Sequence, residues 1–340
     1  MKSSPRSAPR PPAAGPDNAW PRRLAIGLCW TTFPLISVGG LVTSYDAGMA
    51  VPDWPSTYGY NLLLYPWTTW VFGPWDLFLE HGHRLLGVLV GLLAIALVAA
   101  VFWTDRRRWV RVAVSVGLAL VIAQGSLGGA RVLLDDRQLA MLHGCFGPAF
   151  FAYCTALVAF LSPLWEDPSR ARQHPRAESL HRFTLLTATL VYVQLVFGAQ
   201  MRHIPVTAPP WLFNISLILH LANALLLAGA VWAISASLGR ERSEPALRRP
   251  AWWLAGLFCL QLVLGCSTWI VKYGWPWWFS GLGFAAGYAI QAKSMLQTGT
   301  ATLHMAVGSL ILATSVLISV RCWRLLKVAA GPARSLAKNH

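Results

Sequence analysis

The chain of 340 residues carries 28 Lys and Arg against 13 Asp and Glu, a net charge of +15, yet only 12% of its residues are charged and 55% are hydrophobic. Soluble globular domains have about 25% charged residues, and a disordered chain does not hold this much apolar sequence in water. The basic residues lie in short clusters between long apolar stretches, whereas nucleic-acid binding needs them on one face of a folded module. The composition therefore indicates an integral membrane protein that contacts the lipid bilayer and binds no nucleic acid.

Eight stretches are apolar over about 20 residues, the length that a helix needs to cross a bilayer. They are approximately 24–44, 78–103, 110–130, 138–161, 183–202, 213–236, 251–271 and 299–320. The sequence thus predicts an all-α integral membrane protein with eight transmembrane helices.

The distribution of Lys and Arg predicts the orientation of these spans. Of the 28 basic residues, 22 lie before the first span, after the last span or in every second connection, and cytoplasmic segments retain positive charge. We therefore expect both termini to be cytoplasmic, with a disordered basic tail at 1–23, a linker at 162–182 and a basic tail at 321–340. The two long outer connections, 45–77 and 272–298, contain Trp residues typical of a membrane-interface belt.

The spans share an internal repeat of two patterns. In the third, fifth and seventh spans a Gln is followed four residues later by a Gly, as Gln124/Gly128, Gln194/Gly198 and Gln261/Gly265, and the first span has Leu35/Gly39. In the even-numbered spans a His is followed four residues later by a small residue, as His83/Gly87, His143/Gly147, His220/Ala224 and His304/Gly308. Duplication is common in membrane folds. The repeat predicts two pseudo-symmetric four-helix bundles, an N-terminal unit at 24–161 and a C-terminal unit at 183–320.

The four repeated histidines lie at one predicted depth, about 9 Å inside the outer ends of their helices. A single intramembrane His has an interhelical hydrogen bond as its alternative explanation, but four at one depth favour a bound group. Two facing imidazoles beside small residues suit haem iron, whereas zinc needs three or four clustered ligands. The predicted pairs are His83 with His143 and His220 with His304. Candidate contacts to haem propionates at the outer helix ends are Arg84, Arg131, Arg202 and Lys272.

The two halves differ at one acidic residue. Glu80 lies one helical turn before His83, whereas Leu217 takes that place before His220. Two interpretations of Glu80 remain open on spacing alone: a chemical role at the first histidine pair, or an ion pair with Arg84 four residues later.

These residues resemble the haem A synthases, which convert haem O to haem A for cytochrome oxidase. The resemblance covers all eight spans, and its most specific parts are the run Ala47 to Pro55 (AGMAVPDWP) and the Glu80-x-x-His83-Arg84 segment. It implies that a porphyrin methyl group is oxidised to a formyl group by way of alcohol and gem-diol stages.

The resemblance also implies residue roles. Haem O, the substrate, would have its iron near His83 and His143, with Glu80 as the catalytic residue near the methyl group. A haem b cofactor would lie between His220 and His304. Some members of the family carry outer-loop cysteines with a thiol role, but residues 45–77 and 203–213 contain no Cys.

Partners and location follow from the same resemblance. We expect a haem O synthase as substrate donor, an unidentified electron acceptor, a homo-oligomer and a place in the cell's inner (plasma) membrane. His81 has no assigned role.

Two other classes of function stay open as alternatives. A di-haem, b-type electron-transfer protein without substrate chemistry should have equivalent halves, which the Glu80/Leu217 difference opposes. A transporter or assembly factor would use its histidines without metal.

Overall fold

A computed structural model of the chain describes residues 19–240, 244–279 and 281–328. Eight long helices in these residues have the length and hydropathy to cross a membrane, which confirms the eight predicted spans. Numbered α1 to α8 in chain order, they are Ala19–Ser44, Trp75–Thr104, Arg108–Leu133, Arg137–Phe160, Ala177–His203, Pro210–Gly239, Pro245–Tyr273 and Met295–Leu325. The protein is therefore an all-α, multi-span membrane protein.

Several helices begin at residues that satisfy, or do not need, the hydrogen bonds of the first backbone N–H groups. The side chains of Asp136 and Ser294 accept a backbone N–H in the first turn of α4 and α8, as N-caps do. Pro210 and Pro245 lie at the first positions of α6 and α7, where a missing N–H costs nothing.

The helices pack in the same order in each half of the chain. Within α1–α4 each helix contacts the next and α4 returns to α1, and α5–α8 repeat this order. One cluster of buried apolar side chains, with Leu97 and Leu157, holds the first set together, and another, with Leu254 and Ile318, holds the second. This sequence of helix–helix contacts fits two four-helix bundles. The pseudo-symmetry between the bundles stays a prediction.

Helices α4 and α8 join the two sets by packing against each other. In each of these two helices, half of the most apolar 18-residue stretch is buried, compared with 17–33% of that stretch in the other six helices. Those six leave large apolar side chains such as Leu225 and Trp232 exposed. Exposed apolar side chains are favourable in lipid, whose tails are as apolar as Leu.

The two ends of the helices form different surfaces. We call the surface that carries residues 45–74 and 274–294 the loop face, and the opposite one the terminal face. On the loop face the first connection contains a 3₁₀ helix at Ala47–Met49 and a short helix at Trp67–Val71. The second contains a 3₁₀ helix at Trp277–Phe279 and a short helix at Gly283–Ala286.

On the terminal face the predicted linker 162–182 is ordered. It forms a short helix at Pro163–Glu166, a 3₁₀ helix at Pro168–Arg170 and strand β1 at Arg172–His174. Strand β2, Leu326–Val328, pairs with β1 in parallel. The linker between the two halves is thus tied directly to the end of α8.

Both predicted tails overlap the ends of helices. Helix α1 already begins at Ala19 and α8 runs to Leu325, so parts of both predicted tails belong to the fold. The remaining parts, 1–18 and 329–340, lie outside the described residues.

Basic residues explain why the end of α8 is ordered. Arg321 donates a hydrogen bond to the carbonyl oxygen of Ala246 at 2.9 Å, and Arg324 donates to that of Trp165 at 2.8 Å. The positive charges that predicted a tail therefore fasten this segment to its neighbours.

Glu244 is a buried acid on the terminal face, with only 2% of its surface exposed. Its carboxylate lies 2.7 Å from Arg172 and 3.7 Å from Arg170, and it also accepts the backbone N–H of Ala246 at 3.2 Å. One side chain thus joins the linker to the start of α7.

We expect Glu244→Ala to lower the stability of the protein by about 2 kcal/mol, because it removes a buried ionic acceptor together with a helix cap. The measurement is the thermal unfolding midpoint in detergent. Glu178→Ala is the matched control, since the ion pair of Glu178 with Arg182 is exposed and such pairs contribute about 0–1 kcal/mol. Equal midpoints for the two variants would contradict the role given to Glu244.

Candidate functional site

The four repeated histidines come together in two pairs. The ring centroids of His83 and His143 lie 6.2 Å apart with an interplanar angle of 80°. Those of His220 and His304 lie 6.4 Å apart at 55°. Each pair joins the second and fourth helices of its set, and these are the pairs that the sequence predicts.

Each imidazole packs against the glycine of the repeated pattern on the preceding helix. A Cβ built on that glycine would lie close to Cε1 of the ring: 2.9 Å for Gly39 and His83, 2.9 Å for Gly128 and His143, 3.4 Å for Gly198 and His220, and 3.2 Å for Gly265 and His304. The first two distances and the last are shorter than ordinary van der Waals contact. The two sequence patterns therefore describe one recurring contact, for which glycine leaves the room.

The glutamine of the pattern fixes the backbone or ring of the same histidine. The amide nitrogen donates to the histidine carbonyl in two cases, from Gln124 to His143 at 2.8 Å and from Gln194 to His220 at 3.0 Å. Nε2 of Gln261 lies 3.4 Å from Nε2 of His304.

The ring nitrogens of these histidines have few protein partners. Nδ1 of His83 lies 3.2 Å from the carbonyl oxygen of Leu35, a contact that leaves Nε2 for another group. Nδ1 of His143, His220 and His304 makes no hydrogen bond of good geometry within the described residues, but each ring faces the backbone of the pattern glutamine, Gln124, Gln194 or Gln261, which corresponds to Leu35. All four rings thus turn Nδ1 towards the preceding helix, which leaves the Nε2 side for another group.

The separation within each pair fits two axial ligands of one metal ion. Two imidazoles that bind an ion from opposite sides, each at about 2 Å, have ring centres about 6 Å apart. Within residues 19–240, 244–279 and 281–328 no three His, Cys, Asp or Glu side chains cluster as a metal site. Two ligands on one ion leave its other positions to a group such as a porphyrin, so the residues fit haem.

The small residues after the histidines differ in the space beside them. A Cβ on Gly87 would meet no atom within 4 Å. One on Gly147 would lie 3.3 Å from Ile36, and one on Gly308 would lie 3.2 Å from Leu195. The notch beside His83 is open, whereas those beside His143 and His304 receive a side chain from a neighbouring helix.

Glu80 is buried at the loop-face end of α2, with 1% of its surface exposed. Its carboxylate pairs with Arg84 on the same helix and with Arg131 on α3, each at 3.2 Å. The ion pair with Arg84 that the spacing allowed is therefore present, but a second cation joins it. Leu217 holds the corresponding place in the second set, so this charged cluster belongs to the first pair alone.

Arg84 has partners that the sequence did not indicate. Besides Glu80, its guanidinium donates to the carbonyl oxygens of Asp53 at 2.7 Å, Ser56 at 2.8 Å and Val51 at 2.8 Å. All three of its nitrogens bond to the protein, and its predicted contact with a propionate stays a prediction. Nothing in the pattern of α2 shows that the first outer connection folds back onto it.

The other three predicted cations lie at the loop-face ends of their helices. Arg131 donates to the carbonyl oxygen of Gly48 at 3.0 Å in addition to Glu80. Arg202 donates to the carbonyl oxygen of Gly40 at 3.0 Å and to Oγ of Ser44 at 2.7 Å, which ties α5 to the end of α1. Lys272 lies over the ring of Tyr273.

Two residues near the site have no role assigned from the sequence. His81 is 2% exposed, its Nδ1 lies 3.0 Å from Oγ1 of Thr57, and its ring contacts Tyr65 and Trp70. Trp54 packs onto α3, where a Cβ on Gly129 would lie 2.4 Å from its ring. Trp54 and Gly129 are far apart in the sequence, so no sequence pattern indicates that they are in contact.

Comparison with known proteins assigns the family. Residues 22–208, more than half of the chain, match the COX15-CtaA family, described as cytochrome oxidase assembly proteins. These residues include Glu80 and the first histidine pair. No solved structure matches the chain.

Three similar proteins carry the name heme A synthase. The one from Symbiobacterium thermophilum is 28% identical over 82% of this chain and 90% of its own length. The one from Methylobacterium sp. strain 4-46 is 31% identical over 68% of this chain and 70% of its own, and that from Hyphomonas neptunium is 27% identical over 57% and 61%. With a matching family over half its length and relatives that span most of it, the chain belongs to the COX15-CtaA family of cytochrome oxidase assembly proteins.

Proposed function

We propose that this protein is a haem A synthase that oxidises a methyl group of haem O to a formyl group, giving haem A for cytochrome oxidase. Membership of the family and the similar heme A synthases support haem A synthesis. The observation that carries the chemical proposal is the buried Glu80 carboxylate, which stands beside one histidine pair and has an apolar counterpart beside the other.

The first pair is the proposed substrate site. His83 and His143 would hold the iron of haem O, and the glycines behind them keep both rings in place. Glu80 lies one turn before His83, where a carboxylate can accept a proton from the reacting methyl group or stabilise positive charge that develops there. Arg131, which has a single loop carbonyl as its other partner, is the proposed propionate contact on this side.

The second pair is the proposed haem b site, where His220 and His304 would hold the iron. Haem b, when bound, supplies one-electron transfer or structural support. Arg202 and Lys272 are the proposed propionate contacts. The neighbouring Leu217 offers no group that could take up a proton, so this half would bind its haem without oxidising it.

The location and partners complete the proposal. The eight apolar helices and the bacterial relatives support a multi-pass protein of the plasma membrane. The 22 basic residues on one side support cytoplasmic termini. We further propose a haem O synthase as substrate donor, an unidentified electron acceptor and a homo-oligomeric state.

A di-haem electron-transfer protein is the alternative. It shares the two histidine pairs but gives no reason for one half to bury a carboxylate with two arginines. The haem A synthase proposal accounts for that asymmetry.

Co-expression with a haem O synthase, followed by pigment extraction, tests the reaction. The wild-type chain should yield haem A, and Glu80→Gln should lower its yield by about 100-fold or more, because a positioned proton acceptor contributes about 10²–10⁴-fold. Glu178→Gln, a change at an exposed acid, is the matched control. Haem A at wild-type yield from Glu80→Gln would remove the catalytic role, and none from the wild type would remove the function.

The division between the two sites has its own test in the absorption of the haem that stays bound after purification. His220→Ala or His304→Ala should remove most of the Soret band, because each removes a side chain that would hold the iron of haem b. His83→Ala and His143→Ala should leave most of it. The opposite pattern would mean that the two sites are exchanged.

The glycine contact predicts a milder defect at the haem b site. In Gly265→Ala the new Cβ meets the His304 ring at 3.2 Å, so we expect a lower fraction of bound haem or a shifted Soret maximum. Gly256→Ala on the same helix is the control, since a Cβ there meets no atom within 4 Å. Identical spectra for both variants would show that the ring does not depend on this glycine.

A further inference from the structure

Residues 47–57 of the first outer connection are held against the helices although they contain almost no regular structure. Ala47, Val51 and Thr57 are essentially buried, with at most 1% of their surface exposed. A loop on the outside of a membrane protein is ordinarily mobile and exposed. The contacts that hold this segment therefore need an explanation.

All the anchors of the segment lie next to residues of the first histidine site. Thr57 bonds His81, which precedes His83 by two residues, and Trp54 packs on Gly129, which follows Gly128 behind His143. The segment thus contacts α2, which carries His83, and α3, which packs behind His143.

Arg84 supplies the strongest of these anchors. It follows His83 directly, and its guanidinium binds three carbonyl oxygens of the segment at 2.7–2.8 Å. Charge-assisted hydrogen bonds of this length are about twice as strong as neutral ones. Three of them on one side chain fix the path of the backbone from Val51 to Ser56.

Arg131 provides the same connection from α3. It donates to the carbonyl oxygen of Gly48 and to both oxygens of Glu80. Glu80 is therefore the common partner of the two arginines that bind the segment, and the three side chains together carry one positive charge.

The segment also has a rigid turn of its own. The carboxylate of Asp53 accepts the backbone N–H groups of Tyr58 and Gly59, both at 2.8 Å. Burial alone would raise the pKa of Asp53, but these hydrogen bonds outweigh it and hold the pKa below its ordinary value. The hydroxyl of Tyr58 in turn donates to the carbonyl oxygen of Ala50.

We propose that residues 47–57 form a cap over the first histidine pair and that Arg84 and Arg131 are positioning residues, which fasten this cap and orient the Glu80 carboxylate in the same act. The inference rests on the proposed function for the identity of the substrate. Its consequence is that haem O reaches its site with the cap released, and that Glu80 takes its reactive orientation as the cap closes. Leu217, which holds the place of Glu80 in the second half, cannot bind an arginine in this way.

The test opens the cap from two independent sides and follows backbone hydrogen exchange in the full chain in lipid nanodiscs. Arg84→Lys removes the fork that binds three carbonyls, and Gly129→Ala places a Cβ 2.4 Å from the Trp54 ring. Both should speed exchange of the amides of residues 47–60 by about tenfold, because each deletes anchoring contacts of a locally opening segment. Both should also lower kcat for haem A formation, while the absorption of the retained haem b stays at wild-type level.

Each variant has a matched control. Arg111 likewise donates to two backbone carbonyls, those of Asp105 and Phe102, but on the terminal face. Gly125 lies one turn before Gly129, where a Cβ meets no atom within 4 Å. Arg111→Lys and Gly125→Ala should leave exchange of residues 47–60 and haem A formation unchanged.

The outcomes separate the cap from the proposed function. Unchanged exchange of residues 47–60 in both Arg84→Lys and Gly129→Ala would overturn the cap. Faster exchange with wild-type kcat would overturn the link to Glu80. Failure of the proposed function would appear differently, as absence of haem A from the wild-type chain whatever the exchange rates are.

Discussion

The close approach of each histidine ring to a glycine on the preceding helix is the contact on which the rest of the site depends. A polar ring inside a membrane is costly unless it is held in a defined position. At four places here, a glycine without a side chain leaves the space that a histidine ring occupies. The contact sets the depth of the imidazole and the spacing of the two helices together. Because it recurs between the first and second helices and between the third and fourth helices of each set, it brings two rings to within 6.2–6.4 Å of each other in both halves.

Charge distinguishes two halves that otherwise share their contacts. A buried carboxylate is costly unless it is paired, and Glu80 is paired twice. The two arginines each retain donors for the outer connection, so Glu80 is linked through them to the path of that loop. Leu217, at the same place in the second half, offers no such link.

The basic residues have a second role on the terminal face. Their distribution predicts orientation, but several of them also make defined contacts, as Arg172 does with Glu244 and Arg321 with Ala246. These contacts order a linker and the end of α8, and the β1–β2 pair links them directly. The basic residues that predict orientation from the sequence thus also help to hold the two sets of helices together.

The sequence by itself determined the properties that depend on local spacing. The length of the apolar stretches predicted all eight spans. The recurring His, with a small residue four positions later, predicted a histidine on one helix face, and the number of residues from the helix end predicted its depth. Both histidine pairs followed from that, because helices that cross a membrane have few ways to bring equivalent positions together. Only the tertiary structure decided the loop partners of Arg84 and the contacts of His81 and Trp54, since these depend on the path of an outer connection that has no periodic pattern. Loop backbone carbonyls are identical at every residue, so no residue type in the sequence shows that Arg84 binds three of them.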